Sequence, residues 1–154
     1  MVRFIKTQYL KDKTIIENNV DDQLLIPNIE RGQEIEIQQL LGTNLYNAMK
    51  TKVMNNDVTG DYKTLMEDYI QPCLVEWSLY YSLPYFYTKL ENSGMIKKDT
   101  ENTIYAELSD LKYIRNDVRD IAEFYGKRLI DYLCYNTDLF PEYNSELRKS
   151  NEKN

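Results

Sequence analysis

The chain has 154 residues, of which 42% are hydrophobic, 29% are charged and only 5 are glycine, a composition that fits one globular domain rather than a disordered segment. Its formal charge of −6 argues against binding nucleic acid through phosphate contacts, which need clustered Lys and Arg. No apolar run is long enough for a membrane span, the N-terminus lacks the apolar core of a secretory signal, and two cysteines make no disulfide framework, so a reducing cytoplasm is expected.

The chain before Asn19 is expected to form an irregular N-terminal arm, in which Thr7 can cap one short helical turn. The first long helix is predicted to begin next, because Asn19 or Asp21 can accept hydrogen bonds from the free N–H groups of its first turn. Pro27 either begins the regular helix or bends it. The apolar residues of this helix recur at helical spacing: Leu25, Ile29, Ile37, Leu40 and Leu41.

Two glycines in this region predict specific features. Gly32 lies within the helix, where glycine costs roughly 0.8–1 kcal/mol relative to alanine, so another backbone is expected to pass close to it. Gly42 is expected to end the helix in the left-handed conformation, and Thr43 is expected to cap the next helix. That second helix is predicted to end near Asn55, before a loop at 57–61.

The most apolar stretch, from Tyr62 to about Leu90, predicts a long and buried helix. Pro72 is expected to kink it, and Pro84 to bend it again or to mark its last turn. After it, residues 91–104 either protrude as a loop or form a short hairpin. The two halves of that hairpin would be Met95, Ile96 and Lys97, and Thr103, Ile104 and Tyr105.

The last long helix is predicted to begin between Thr103 and Ser109 and to end near Tyr135. Its buried stripe is expected to contain Leu108, Leu111, Val118, Ile121, Ala122, Tyr125, Leu129, Tyr132 and Leu133. The predicted fold is therefore all-α, a bundle of four main helices, two of them long, with a protruding loop or short hairpin and N- and C-terminal arms. Residues 1–136 would form the helical domain and residues 137–154 a C-terminal tail.

No residue pattern predicts catalysis. The chain has no histidine, which removes the usual general base and the commonest metal ligand, and its glycines form no phosphate-binding loop. Neighbouring acids such as Asp21 and Asp22 are expected on solvated helix faces. Cys73 and Cys134 lie in or beside apolar stripes and are expected to be buried small hydrophobes. We therefore expect no enzyme activity, no cofactor and no metal.

Tyrosine occurs 14 times in the chain. Its large contact surface and polar tip suit protein–protein interfaces. These tyrosines can serve the helical core alone or a core shared with subunit interfaces. Stacking on single-stranded nucleic acid would need a basic groove, which is not expected in so acidic a chain.

Several caps and runs in the chain match one known pattern. Acidic residues open a helix at Asp21 and Asp22, and that helix closes with the Leu41-Gly42 step. This resembles the head–tail connector (adaptor) proteins of tailed bacteriophages. The runs TGDYKTL at 59–65, DYIQP at 68–72, LKYIRND at 111–117 and AEFY at 122–125 are similar to the neck ring proteins of crAss-like phages, which infect gut Bacteroidales. The likeness covers roughly residues 7 to 136.

The resemblance implies a structural protein of the virion, assembled in the cytoplasm of a bacterial host. Connectors form a ring, usually of about twelve copies, that binds the portal protein above and the next neck or tail protein below. Double-stranded DNA passes through the ring without specific binding, and acidic subunits suit that role because they offer sliding DNA few cations. Each subunit would use two different faces in a head-to-tail contact.

Two regions are expected to make contacts in such a ring. The tail would stay loose in the monomer and order against the portal, so deleting residues 138–154 is expected to abolish portal binding and to spare the fold. Its apolar anchor would be Leu139, Phe140, Pro141 and Tyr143. The loop that faces the channel or the neighbouring ring would contain Met95, Ile96, Lys97 and Lys98. The alternative function is a small cytoplasmic adaptor or regulatory protein that acts as a monomer or dimer.

Overall fold

A computed structural model of the chain describes residues 1–92 and 101–143, with side chains for 1–86 and 109–143. Five helices, and no strand, occur in these two ranges. Three of them are uninterrupted α-helices: α1 (Thr7–Lys13), α3 (Thr43–Met54) and α5 (Glu101–Tyr135). Helix α2 consists of Asp22–Gly32, a π-helical turn Gln33–Ile37 and Gln38–Leu41. Helix α4 consists of Gly60–Thr64, a π-helical turn Leu65–Ile70 and Gln71–Asn92. The predicted all-α fold with four main helices, α2 to α5, is confirmed.

The segment between α4 and α5 is only partly described. Helix α5 begins at Glu101, so Thr103, Ile104 and Tyr105 are helical, and the hairpin alternative is wrong for its second half. The helix reaches further back because this half continues the 3.6-residue pattern of the helix that follows it. The other predicted residues, Met95, Ile96, Lys97 and Lys98, lie outside the described residues.

Helix α4 is the centre of the bundle and packs against both α2 and α5. Gly32 lies where α2 crosses α4. A Cβ atom placed on Gly32 would lie 3.3 Å from Leu74 Cδ1 and 3.5 Å from the backbone nitrogen of Ser78. The predicted close approach of another backbone is therefore confirmed, and it explains why glycine is used despite its cost within a helix.

The N-terminal arm is more ordered than the sequence predicted. Besides forming α1, it buries Phe4, Ile5, Leu10 and Ile16. Two buried or half-buried glutamines hold its backbone, as the N–H of Phe4 donates to Gln33 Oε1 at 2.7 Å and Gln71 Nε2 donates to the carbonyl of Phe4 at 2.9 Å. Because buried backbone groups outside helices need partners, these side chains fix the path of the arm.

Of the four predicted helix caps, Asp21 and Gly42 agree with the structure, whereas Thr7 is already the first residue of α1, after Lys6 at the cap position. The side chain of Asp21 accepts a hydrogen bond from the N–H of Gln23 at 2.9 Å, and Gly42 has a φ of +76°. Thr43 is wrong as a cap, because it is already the first residue of α3 and its side chain makes no capping bond. Gly42 occupies the junction alone, ending α2 and preceding α3.

The two cysteines differ in exposure. Cys73 is buried between α4 and α5, as predicted, and burial raises the pKa of its thiol to about 12. The thiol therefore stays protonated at neutral pH and is a poor nucleophile. The prediction for Cys134 is wrong, because that residue is exposed near the end of α5.

Candidate interaction surface

An exposed row of large apolar side chains runs along α5. Tyr113, Phe124 and Tyr135 are 76%, 62% and 86% exposed, and Ile114 and Ile121 are also exposed. At 3.6 residues per turn these five residues fall within a sector of about 100° of the helix, and they extend over roughly 33 Å. We call these five residues the α5 stripe. The prediction that Ile121 belongs to the core is wrong.

The α5 stripe adjoins the buried face of the same helix. Val118, Ala122, Leu129 and Leu133 are buried on the side that faces the bundle. A helix that packs only on its own bundle needs one apolar stripe, whereas α5 has two adjoining ones. The second is not used by the described part of this chain, and a large exposed apolar surface of this kind marks an interaction site.

Acidic side chains share the sector of the α5 stripe. The exposed acids with this orientation are Asp110, Asp117 and Asp131. Arg128 begins in the same sector but turns towards α4, where it donates to the carbonyl of Asp68 at 2.8 Å and lies over the ring of Tyr69. The outward surface of the stripe is therefore apolar and acidic.

Two arginines of α5 bind α4 where that helix contains a proline. Arg128 donates to the carbonyl of Asp68, which lies in the π-helical turn just before Pro72. Pro84 has no N–H for the carbonyl four residues earlier, that of Tyr80.

Arg115 donates its Nε–H to the Tyr80 carbonyl at 3.1 Å. Its guanidinium lies 4.0 Å from the centroid of the Tyr80 ring, a cation–π distance. These two contacts add to the buried apolar face of α5 in holding that face on α4, so the α5 stripe faces outward.

A shallow groove of about 510 Å³ adjoins the C-terminal end of the stripe. Its floor is the stacked pair Tyr69 and Tyr132, whose ring centroids lie 3.9 Å apart. Phe124 and Tyr135 of the stripe form one wall, and Lys127 lies beside them. Aromatic rings therefore continue from the stripe into this groove.

The start of the C-terminal tail packs on the bundle. Phe140 is fully buried, with its ring centroid 5.3 Å from that of Tyr62 and 5.9 Å from that of Tyr132. Tyr143 is also buried, and its hydroxyl lies 3.7 Å from Cys134 Sγ.

The expectation of a loose tail is wrong for the described residues of the predicted anchor, because the bundle itself covers the two rings. Leu139 is half-buried and Pro141 is exposed. Contact of these residues with a portal stays a prediction. Deletion of residues 138–154 would remove Phe140 from the core, so the expectation that it spares the fold is also abandoned.

A tyrosine–carboxylate pair holds the tail in place. The hydroxyl of Tyr62 donates to the carboxylate of Glu142, at 2.7 Å to Oε2. Burial, together with this acidic partner, raises the pKa of Tyr62 to about 12. The phenol therefore keeps its proton, and this bond, throughout the neutral range.

A metal site and a membrane span each have structural requirements with which the described part of the chain can be compared. Within residues 1–86 and 109–143, whose side chains are described, no three His, Cys, Asp or Glu side chains come close enough to share a metal ion. The helices of the same part of the chain lack the combination of length and hydropathy that a bilayer crossing requires.

The α5 stripe was missed from sequence, although a signal for it exists. Ile114, Ile121 and Tyr135 are separated by multiples of seven residues, a spacing typical of a helix seam. The apolar residues of α5 also spread over a wider angle than a single buried face requires. Together these two features indicate a second contact surface.

Fold and surface define an all-α bundle protein with an apolar and acidic stripe along its last helix. The chain belongs to the DUF6712 family, a family of unknown function, which matches residues 37–152. That range covers the end of α2, all of α3 to α5 and the tail. No curated protein and no solved structure matches the chain. The family description carries no activity, so the connector function remains a prediction.

Proposed function

We propose that this protein is a structural subunit of a bacteriophage neck. Copies of it would form a ring between the portal and the tail, extend the DNA channel and provide a docking surface for the next neck or tail protein. The observation that carries the proposal is the α5 stripe, a rigid apolar surface that the described part of the chain leaves uncovered.

The area of the α5 stripe is suited to contact with another protein. The exposed parts of its three aromatic rings amount to on the order of 400 Å². A standard interface buries about 800 Å² on each partner, so the rings alone supply roughly half of one side. Tyrosine and phenylalanine are both enriched in such contacts, and tyrosine is among the residues that contribute most to their free energy.

The rigidity and charge of the molecule also support a ring subunit. Arg115 and Arg128 hold α5 against α4, so the stripe needs no ordering when a partner binds. Each copy carries a formal charge of −6, so a ring of such copies would be strongly acidic as a whole, which suits a protein that DNA passes without being held.

The alternative is a small cytoplasmic adaptor or regulatory protein that acts as a monomer or dimer. One stripe on one helix can serve a dimer as well as a ring. The two functions differ in the size of the assembly and in their response to a portal protein.

The test is co-expression with the portal protein of the same phage, followed by light scattering and negative-stain imaging. We expect the wild-type protein to co-purify with the portal and to form rings on it. Phe124→Glu is expected to be monomeric with an unchanged melting temperature, because Phe124 is exposed. Ile35→Glu is the matched control, since Ile35 is exposed on α2, outside the α5 stripe, and it should assemble normally.

Two outcomes would overturn the proposal. A wild-type protein that stays monomeric beside assembled portals contradicts the ring. A dimer that does not bind the portal favours the adaptor function.

Replacement of the exposed Pro141 by Glu tests the predicted tail contact without removing a core side chain, unlike deletion of residues 138–154.

A further inference from the structure

We propose that the α5 stripe of one copy binds a groove beside the N-terminal arm of the next copy. This inference rests on the proposed self-assembly and names the two surfaces that meet. The groove, which we call the arm groove, has a volume of about 430 Å³ and lies between the arm, the end of α3 and the start of α4. Its apolar lining is Phe4, Ile5, Val53, Val58 and Met66.

The arm groove carries cations at its rim. Arg3, Lys6 and Lys63 line it together with two acids, Asp12 and Glu67. Arg3 is already paired with Glu30 at 3.2 Å. Lys6 and Lys63 are exposed and form no ion pair within the described part of the chain, so they are available to an acidic partner.

The charge of the α5 stripe is opposite to that of these lysines. Asp110, Asp117 and Asp131 lie in the sector of the stripe, and Arg128 is engaged with α4. Two stripes placed face to face would bring acids against acids, which disfavours a two-fold dimer through α5. The arm groove matches the stripe in hydropathy, and its rim offers Lys6 and Lys63 to these aspartates, beside its own Asp12 and Glu67.

The stripe and the arm groove belong to different elements. The stripe lies on α5, whereas the groove is built by the arm, α3 and α4, and the two share no residue. One copy can therefore use both at once, one towards each neighbour. Such a head-to-tail contact produces a ring if the rotation between neighbours closes and a filament if it does not.

The test uses one variant for each surface and their mixture. The groove variant is Lys6→Glu with Lys63→Glu, and the stripe variant is Phe124→Glu. Each should be monomeric alone, because each lacks one of the two surfaces. A 1:1 mixture should form a heterodimer and nothing larger, since it retains one intact stripe and one intact groove per pair. Native mass spectrometry with one variant isotopically labelled identifies this species.

A matched control shows whether reversing two exposed charges elsewhere on the protein has the same effect. Arg31→Glu with Lys112→Glu reverses two exposed charges outside both surfaces, and this variant should assemble like the wild type. Formation of the heterodimer also shows that both variants are folded.

Three results would contradict the inference. They are a groove variant that assembles like the wild type, a mixture that stays monomeric, and a stripe variant that still forms large assemblies. If instead the wild type itself remains monomeric, it is the proposed function that fails.

Discussion

At the scale of single residues, the partial burial of the Glu76 carboxylate carries an energetic cost. This side chain of α4 is half-buried in a groove that it shares with Tyr9, Tyr125 and Arg128. Burial raises the pKa of the Glu76 carboxyl above its ordinary value of 4.5. The charged form is therefore less favourable in the folded protein than in the unfolded chain.

This shift sets the sign of a pH effect on stability. A raised pKa in the folded state contributes stability below the ordinary value of 4.5, and that contribution is lost as the pH rises through the raised value. At pH 7 Glu76 is charged and mildly destabilising. Glu76→Gln should therefore raise the melting temperature at pH 7, and the gain should shrink towards pH 4.

The expected gain at pH 7 is only about 1–2 °C, because solvent reaches part of the carboxylate. Thermal unfolding followed by circular dichroism at both pH values measures it. Glu67→Gln, an exposed acid earlier in α4, is the control and should change little at either pH. A destabilised Glu76→Gln variant at pH 7 would show that the carboxylate has a favourable partner instead.

At the scale of elements, local chemistry was enough to predict most helices and their ends. The acidic cap at Asp21, the positive φ of Gly42 and the end of α5 at Tyr135 all depend on neighbours within a few residues. Thr43 failed as a cap because sequence rules locate a helix boundary only to within a residue or two.

Other elements depend on partners far along the chain. The arm is held by Gln33, 29 residues from Phe4, and the tail by Tyr62, 80 residues from Glu142. No local pattern shows that such side chains will meet, so the arm was expected to be irregular and the tail loose. The contact of Arg115 with the carbonyl freed by Pro84 was missed for the same reason.

A double-mutant cycle tests that contact. Arg115→Met should lower the free energy of unfolding by about 1–2 kcal/mol, because the half-buried Tyr80 carbonyl loses its donor. In a Pro84→Ala background the loss should be smaller by about 1 kcal/mol, since alanine at this position brings an N–H to the same carbonyl. Urea unfolding of the wild type, the two single variants and the double variant gives the coupling free energy between Arg115 and Pro84.

Equal losses in both backgrounds would show that Arg115 does not replace the missing helix bond. The variant Lys112→Met controls for loss of an exposed cation on α5.

At the scale of the whole molecule, the tyrosine content left open whether these rings serve the helical core alone or also an interface between subunits, and it located no surface. Periodicity placed Ile121 on an apolar face of α5, and it did not show that α4 covers only the adjoining face. Which face is covered depends on the rotation of α5, and the buried apolar side chains of that helix act together with two arginines that bind carbonyls of α4 to define it. The position of the candidate site is therefore a property of the assembled bundle.

The contact proposed between copies combines apolar area with opposite charges, and these two parts respond differently to salt. Raising the salt concentration from about 0.1 M to 1 M shortens the screening length from roughly 10 Å to 3 Å, which weakens exposed ion pairs and leaves apolar contact intact. The dissociation constant between copies should therefore rise roughly two- to thirtyfold, because two exposed pairs contribute about 0.2–1 kcal/mol each.

A variant that removes the two lysine charges without reversing them isolates the electrostatic contribution to the contact between copies. Lys6→Gln with Lys63→Gln should associate more weakly than the wild type at low salt, and its dissociation constant should depend little on salt. Sedimentation equilibrium of both proteins across the salt series measures how steeply each dissociation constant changes with salt concentration. Equal slopes would show that the lysines of the arm groove do not face the acids of the α5 stripe. Association that strengthens with salt would mean that apolar contact alone holds the copies together, since screening then relieves only the repulsion between acidic subunits.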